Sequence, residues 1–155
     1  MMSGIRDSAE TAVRSGIKYI QFAVRPEEDA QAIDAYLKAL RPLPSPALVN
    51  GAPGEPASRG KAVFEAAGCA TCHVGTYHTD QKPYDVGTGK GNEAGKAFDT
   101  PTLVEVWRTA PYLYDGRAAT LEDVFTQHNP EDKHGQTSSL SPEDLDALIA
   151  YVSTL

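Results

Sequence analysis

Two of the 155 residues are cysteines, and they stand three positions apart in Gly68-Cys69-Ala70-Thr71-Cys72-His73. This spacing constrains the fold more than any other feature of the chain. A disulfide between residues so close would close almost no loop, so the pair cannot staple a fold. It marks a local site instead. Two thiols separated by two residues can add to the two vinyl groups on one edge of a haem. An imidazole directly after the second thiol then coordinates the iron from one face. Cys69 and Cys72 are read as thioether attachment points and His73 as the proximal ligand of one covalently attached haem. A chain built this way folds around a large, rigid, apolar disc.

Two other uses of a Cys-x-x-Cys pair compete. A thioredoxin-like redox pair wants a strand before it and a long helix after it. Here a helical pattern precedes Cys69 and a glycine-rich stretch follows His73. A structural zinc site wants four ligands. His73, His78, His128 and His134 complete one only with unusual spacing. Haem attachment is the reading carried forward.

The rest of the chain reads as helices joined by irregular segments. Residues 8–24 and 27–40 suggest two helices. The second places Ala32, Ile33, Tyr36, Leu37 and Leu40 at helical spacing. Pro26, Glu27, Glu28 and Asp29 suit its start, where carboxylates meet the positive end of the helix dipole. Residues 41–57 contain five prolines and two glycines and read as a linker. Ser58 is the expected cap of a third helix over 59–67, which Gly68 ends. Residues 74–100 form a long loop without sustained period, and such loops are usually functional or mobile. Thr102–Arg108 suggests a short helix. Thr120 caps another over 121–128. Ser141-Pro142-Glu143-Asp144 opens the last, whose apolar side carries Leu145, Leu148, Ile149 and Val152. Residues 26–40 and 142–155 echo one another, with Tyr36 matching Tyr151 and Leu40 matching Leu155. The expected plan is a helical segment over 1–40, read as the remnant of a second, related domain, then the linker, then a haem domain over 58–155.

Arg59–His73 resembles the N-terminal helix and attachment site of cytochromes c, and Leu148–Tyr151 resembles their C-terminal helix. That likeness implies an all-α, cytochrome c-like fold with long loops. Gly60 would permit close approach of the two helices, with Phe64 near Leu148 and Tyr151. Residues 98–128, FDTPTLVEVWRTAPYLYDGRAATLEDVFTQH, are similar to the distal segment of the bacterial di-haem cytochrome c peroxidase family. That family includes the methylamine-utilisation di-haem enzyme and propeller-linked cytochrome domains. The chain departs from the family at the sixth ligand. Leu113 stands where the family often has a ligating Met, and Tyr114 stands where it has His. Thr79–Gly87, TDQKPYDVG, matches a loop whose His supplies the sixth ligand in related domains, and the aligned residue here is Tyr84. The only methionines are Met1 and Met2. Four arrangements stay open: Tyr84 as phenolate, His78, an open or water-bound site, and Tyr114 or another group. Arg108 and Arg117 are candidates to pair with haem propionates, since guanidinium suits bidentate carboxylate contact. Trp107 lines the haem or the core.

The functional expectation is a mono-haem c-type cytochrome that transfers electrons as a module or subunit of a larger redox assembly. A peroxidase-type haem enzyme and a haem-based gas or redox sensor are the alternatives. Electron transfer implies redox partner proteins, among them other haem proteins. The formal charge of −7 argues against nucleic-acid binding. No stretch is apolar for long enough to span a membrane. The first residues, MMSGIRDSAETAVRSG, lack the apolar run of a signal peptide. Haem attachment nevertheless implies a periplasmic or otherwise extracytoplasmic protein, with the export signal absent from this chain.

Overall fold

The computed structural model describes residues 8–155. Two compact units divide them, 8–42 and 43–155.

The first unit holds helices α1 (Ala9–Tyr19) and α2 (Glu27–Ala39). Ser8 caps α1 by accepting the Thr11 N–H. The helix stops well short of residue 24, because Phe22 adopts a left-handed backbone with φ 52°. Charge pairs join the two helices: Arg14 with Glu27 and Asp34, and Lys38 with Glu10. Neither helix carries a buried residue. Apolar periodicity in α2 therefore does not build a core within this unit.

The second unit is organised by α3 (Ala57–Ala66) and α5 (Pro142–Val152). Gly60 lets them meet: a Cβ there would lie 1.8 Å from the Ala147 carbonyl oxygen and 2.7 Å from Tyr151 Cβ. Val63 and Phe64 then pack against Leu148, Tyr151 and Val152, with Val106 closing the cluster. The Phe64 and Tyr151 rings meet edge to face at 5.4 Å. Ser141 caps α5 through the Asp144 N–H, with Pro142 in its first turn. A reciprocal capping box between Thr120 and Asp123 starts α4 (Leu121–Thr126).

Several boundaries differ from the sequence reading. Helix α3 starts at Ala57, so Ser58 lies inside its first turn and donates its hydroxyl to the Pro53 carbonyl instead of capping. The helix expected at Thr102–Arg108 shrinks to a single 3-10 turn over Val106–Arg108. The proline-rich stretch is not a uniform spacer. From Leu43 onward it joins the second unit, through Leu43 N–H to Glu105 and Ser45 Oγ to the Ser153 carbonyl. Within it, β1 (Leu48–Val49) pairs with β2 (Ala52–Pro53) across Asn50-Gly51, both at positive φ, the pairing a tight hairpin demands. A second ribbon, β3 (Pro83–Tyr84) with β4 (Phe98–Asp99), closes the part of the long loop that lies between them. The chain is thus mostly helical rather than all-α. Among the described residues, no helix is long and apolar enough to cross a membrane.

Candidate haem site

Helix α3 ends where Gly68 turns the backbone left-handed at φ 83°. A 3-10 turn over Cys69–Thr71 follows, and it presents both cysteines and His73 from one short segment. Both thiols are free. Burial pushes the Cys69 thiol up to about 11. Burial, then the nearby Asp80 carboxylate, raises Cys72 as well. A redox-active pair needs a depressed thiol, so the environment is the opposite of a thioredoxin-like one.

The His73 imidazole is oriented by its backbone surroundings. Its Nδ1 lies 3.0 Å from the His78 carbonyl oxygen. A carbonyl only accepts, so Nδ1 carries the proton and Nε2 keeps a lone pair. That is the tautomer a metal-bound imidazole uses, and the outer hydrogen bond raises its basicity. Burial lowers the His73 pKa.

The loop between α4 and α5 folds back onto this segment. Gln136 N–H donates to the Ala67 carbonyl at 2.8 Å. A Cβ on Gly135 would stand 3.4 Å from Cys69 Sγ. The buried Asn129 side chain holds the loop. It accepts the His134 N–H at 2.8 Å and donates to the Gly135 carbonyl at 2.8 Å and to Thr137 Oγ1 at 2.9 Å. His134 is thereby carried toward His73, with ring centroids 6.3 Å apart and planes tilted by 45°. Its Nδ1 is buried and lacks a hydrogen-bond partner. Burial, then the neighbouring His73, pushes His134 down to about 4. The sequence analysis weighs His134 only as a zinc ligand and not as a haem ligand. An isolated His in a polar loop carries no local signal, and only the fold brings it to the site.

The other candidates have different partners. The His78 carbonyl receives the His73 Nδ1 proton, so this backbone lies on the side of the ring away from Nε2. His78 also lines a cavity of about 330 Å³ with Lys61, Phe64, His73 and Tyr151. Tyr84 donates its hydroxyl to Asp80 at 2.7 Å. That bond, reinforced by burial, pushes the phenol up to about 12, away from phenolate. The Tyr114 ring stacks on Phe98 at 4.6 Å, and its hydroxyl accepts the Lys90 N–H at 3.2 Å. Arg117 sits over the Tyr114 ring and pairs with Asp115; Arg108 pairs with Glu105. Both arginines proposed for propionates thus have carboxylate partners within the protein.

The donor set fits a haem held by two thioethers and an imidazole. Cys69 packs against the apolar cluster of Phe64, Val106 and Leu148. Trp107 Nε1 and His134 Nδ1 are among the buried polar atoms that lack a hydrogen-bond partner in the protein. A structural zinc site fits less well. Among the described residues, no three His, Cys, Asp or Glu side chains converge as metal ligands.

Helix α3 meeting α5, with the attachment motif directly after α3, defines the class: the chain belongs to the cytochrome c family, whose model matches residues 57–155. Haem c is the cofactor this family implies. Among individual proteins, the chain is similar to hydrazine synthase subunit gamma of Kuenenia stuttgartiensis, 30% identical over 170 residues, covering 81% of this chain and 48% of the relative. It is 30% identical over 123 residues to methylamine utilization protein MauG of Methylorubrum extorquens, covering 66% of this chain and 35% of that protein. A solved structure of Kuenenia stuttgartiensis hydrazine synthase superposes with a TM-score of 0.81 at 26% identity, over 93% of this chain and 60% of that one. Cytochrome c peroxidases are also relatives, so the likeness to the di-haem peroxidase-like family holds. The chain spans less than half the length of these curated relatives.

Proposed function

We propose that the chain carries one haem c, bound through Cys69, Cys72 and His73, and passes electrons as a module of a larger redox assembly outside the cytoplasm. The observation that carries this reading is the His73 geometry: directly after two unpaired thiols, an imidazole holds its Nδ1 proton on the His78 carbonyl, the tautomer in which Nε2 keeps its lone pair. When bound, the haem supplies a one-electron couple. Everything else falls to the protein. The thiols fix one edge of the disc, His78 O fixes the ring plane of His73, and the Phe64–Leu148 cluster keeps water from that edge. The formal charge of −7 suits encounter with a basic redox partner, and other haem proteins are partners of the same kind. One relative is named as a subunit, which favours a place in an assembly. The echo between residues 26–40 and 142–155, together with relatives about twice as long, supports residues 1–40 as part of a second cytochrome-like domain.

Relatives named as peroxidases favour a second reading, reduction of hydrogen peroxide. A single Cys-x-x-Cys-His weighs against it, because the di-haem plan divides the work between two haems. A gas or redox sensor would need an exchangeable sixth position. Intact mass tests the cofactor: one haem is expected to add about 616 Da. Optical titration with peroxide and carbon monoxide tests the function. Unchanged spectra support electron transfer, and rapid peroxide turnover by the isolated protein would establish the enzyme instead.

A further inference from the structure

We propose that His134 is the sixth ligand of the haem iron, so that the site is a bis-imidazole centre formed by His73 and His134. This rests on the haem reading above.

The distance carries the argument. Two imidazoles bound trans to one metal, each at about 2 Å and each with its ring centre about 1 Å further out, have centres about 6 Å apart. The His73 and His134 centroids are 6.3 Å apart. The planes are tilted by 45°, so the two rings are not stacked face to face as Tyr114 and Phe98 are at 4.6 Å.

The loop is built to hold this position. Buried Asn129 clamps the backbone on both sides of the ring, at His134 N–H and the Gly135 carbonyl. Gly135 lies against Cys69 Sγ, and Gln136 is fastened to Ala67, so the loop is in register with the attachment segment. No hydrogen bond reaches the His134 ring from the described residues, and its buried Nδ1 is unpartnered. Burial of an unsatisfied polar group costs free energy, on the order of 1–3 kcal/mol, unless something in the complete protein uses the ring. The rival donors are engaged elsewhere: the Tyr84 hydroxyl with Asp80 and the Tyr114 hydroxyl with Lys90. Both methionines lie at the extreme N-terminus.

The assignment has a functional consequence. Filling both axial positions with neutral imidazoles leaves no coordination site for peroxide or carbon monoxide. Such a centre also lacks the methionine ligand that raises the potential of His/Met cytochromes. The centre is then a low-potential electron carrier.

The test uses the holoprotein matured with its haem. Near-infrared magnetic circular dichroism and electron paramagnetic resonance of the ferric wild type should report a low-spin bis-imidazole pair. His134→Ala should convert most of the haem to high spin, admit carbon monoxide that wild type excludes, and recover the low-spin spectrum on adding free imidazole. His134→Met should raise the reduction potential and give a thioether–iron spectrum, which a merely structural residue would not produce. Wild-type spectra showing another axial pair would overturn the assignment without any variant, even if His134→Ala fails to fold. Unchanged spectra in both variants would overturn it too. Haem absent from the intact mass would sink the haem reading itself, a distinct result.

Discussion

Asn129 shows how much of the site rests on one side chain that binds nothing itself. It is 4% exposed and satisfies an N–H and two carbonyls of its own loop, together with the Thr137 hydroxyl. Asn129→Ala leaves these groups buried without partners, and we expect a loss of about 2 kcal/mol in denaturant unfolding. Its diagnostic effect is spectroscopic: the ferric haem should show an added high-spin fraction, because His134 is released while His73 is not. A stability loss with an unaltered spectrum would make Asn129 a purely structural clamp. The proximal side offers a contrasting substitution. His73→Ala should abolish native ligation while the thioethers keep the haem attached, so mass is preserved and the spectrum is not. Legibility at this scale was divided. Cys69, Cys72 and His73 stand out in the sequence because covalent haem attachment would fix their spacing along the chain. His134 was not, because a ligand from the far side of an iron is placed by chain folding, and the 60 residues between it and His73 carry no record of the distance.

Among the elements, the crossing of α3 and α5 is the least tolerant contact. At Gly60 an added methyl meets backbone, the Ala147 carbonyl, which cannot rotate away. Gly60→Ala should therefore cost about 3 kcal/mol by overpacking, despite the better helix propensity of alanine. Leu148 is fully buried in the same contact, and Leu148→Ala should cost about 3–5 kcal/mol through lost burial and a residual cavity. Urea unfolding of the two variants would check both, and near-neutral results would show that the helices can separate cheaply. At α4 the capping box adds a pH dependence. The Thr120 hydroxyl first, and its backbone N–H next, hold the Asp123 carboxyl below the ordinary carboxylate range. A depressed folded pKa stabilises above the unfolded value, near pH 4, and that contribution is lost as pH falls through the folded value. Asp123→Asn should therefore lose stability less steeply than wild type below about pH 4. Caps at Thr120 and Ser141 were legible because the side chain and the N–H it serves are three residues apart. The two ribbons were not, since a strand of two residues is too short to show alternation. Their pairing depends on chain reversal at Asn50-Gly51 and on the closure of a long loop.

For the whole molecule, the question is what the helices before residue 43 contribute to the haem unit. Every residue assigned to the haem lies between Cys69 and His134, and the core around them comes from α3, α5 and the Val106 turn. Leu43 and Ser45 anchor the start of this unit to Glu105 and Ser153. Helices α1 and α2 bring 11 and 13 residues, no buried side chain, and charge pairs that are largely exposed. Helices this short are marginal in water, and exposed ion pairs add only about 0–1 kcal/mol each. At the same time Phe22 is 86% exposed and Val24 92%, which is much apolar surface for so small a unit. The periodicity of α2 was legible, but the missing core of the unit was not, because an apolar stripe looks the same whether its partner is present or not. Two expectations follow from this imbalance. A peptide of residues 8–42 should show little helix by circular dichroism in water. A chain of residues 43–155, matured with haem, should keep the mass and ferric spectrum of the full protein. Loss of the native spectrum on that truncation would mean that the helical hairpin helps form the haem crevice, and that the two units act as one.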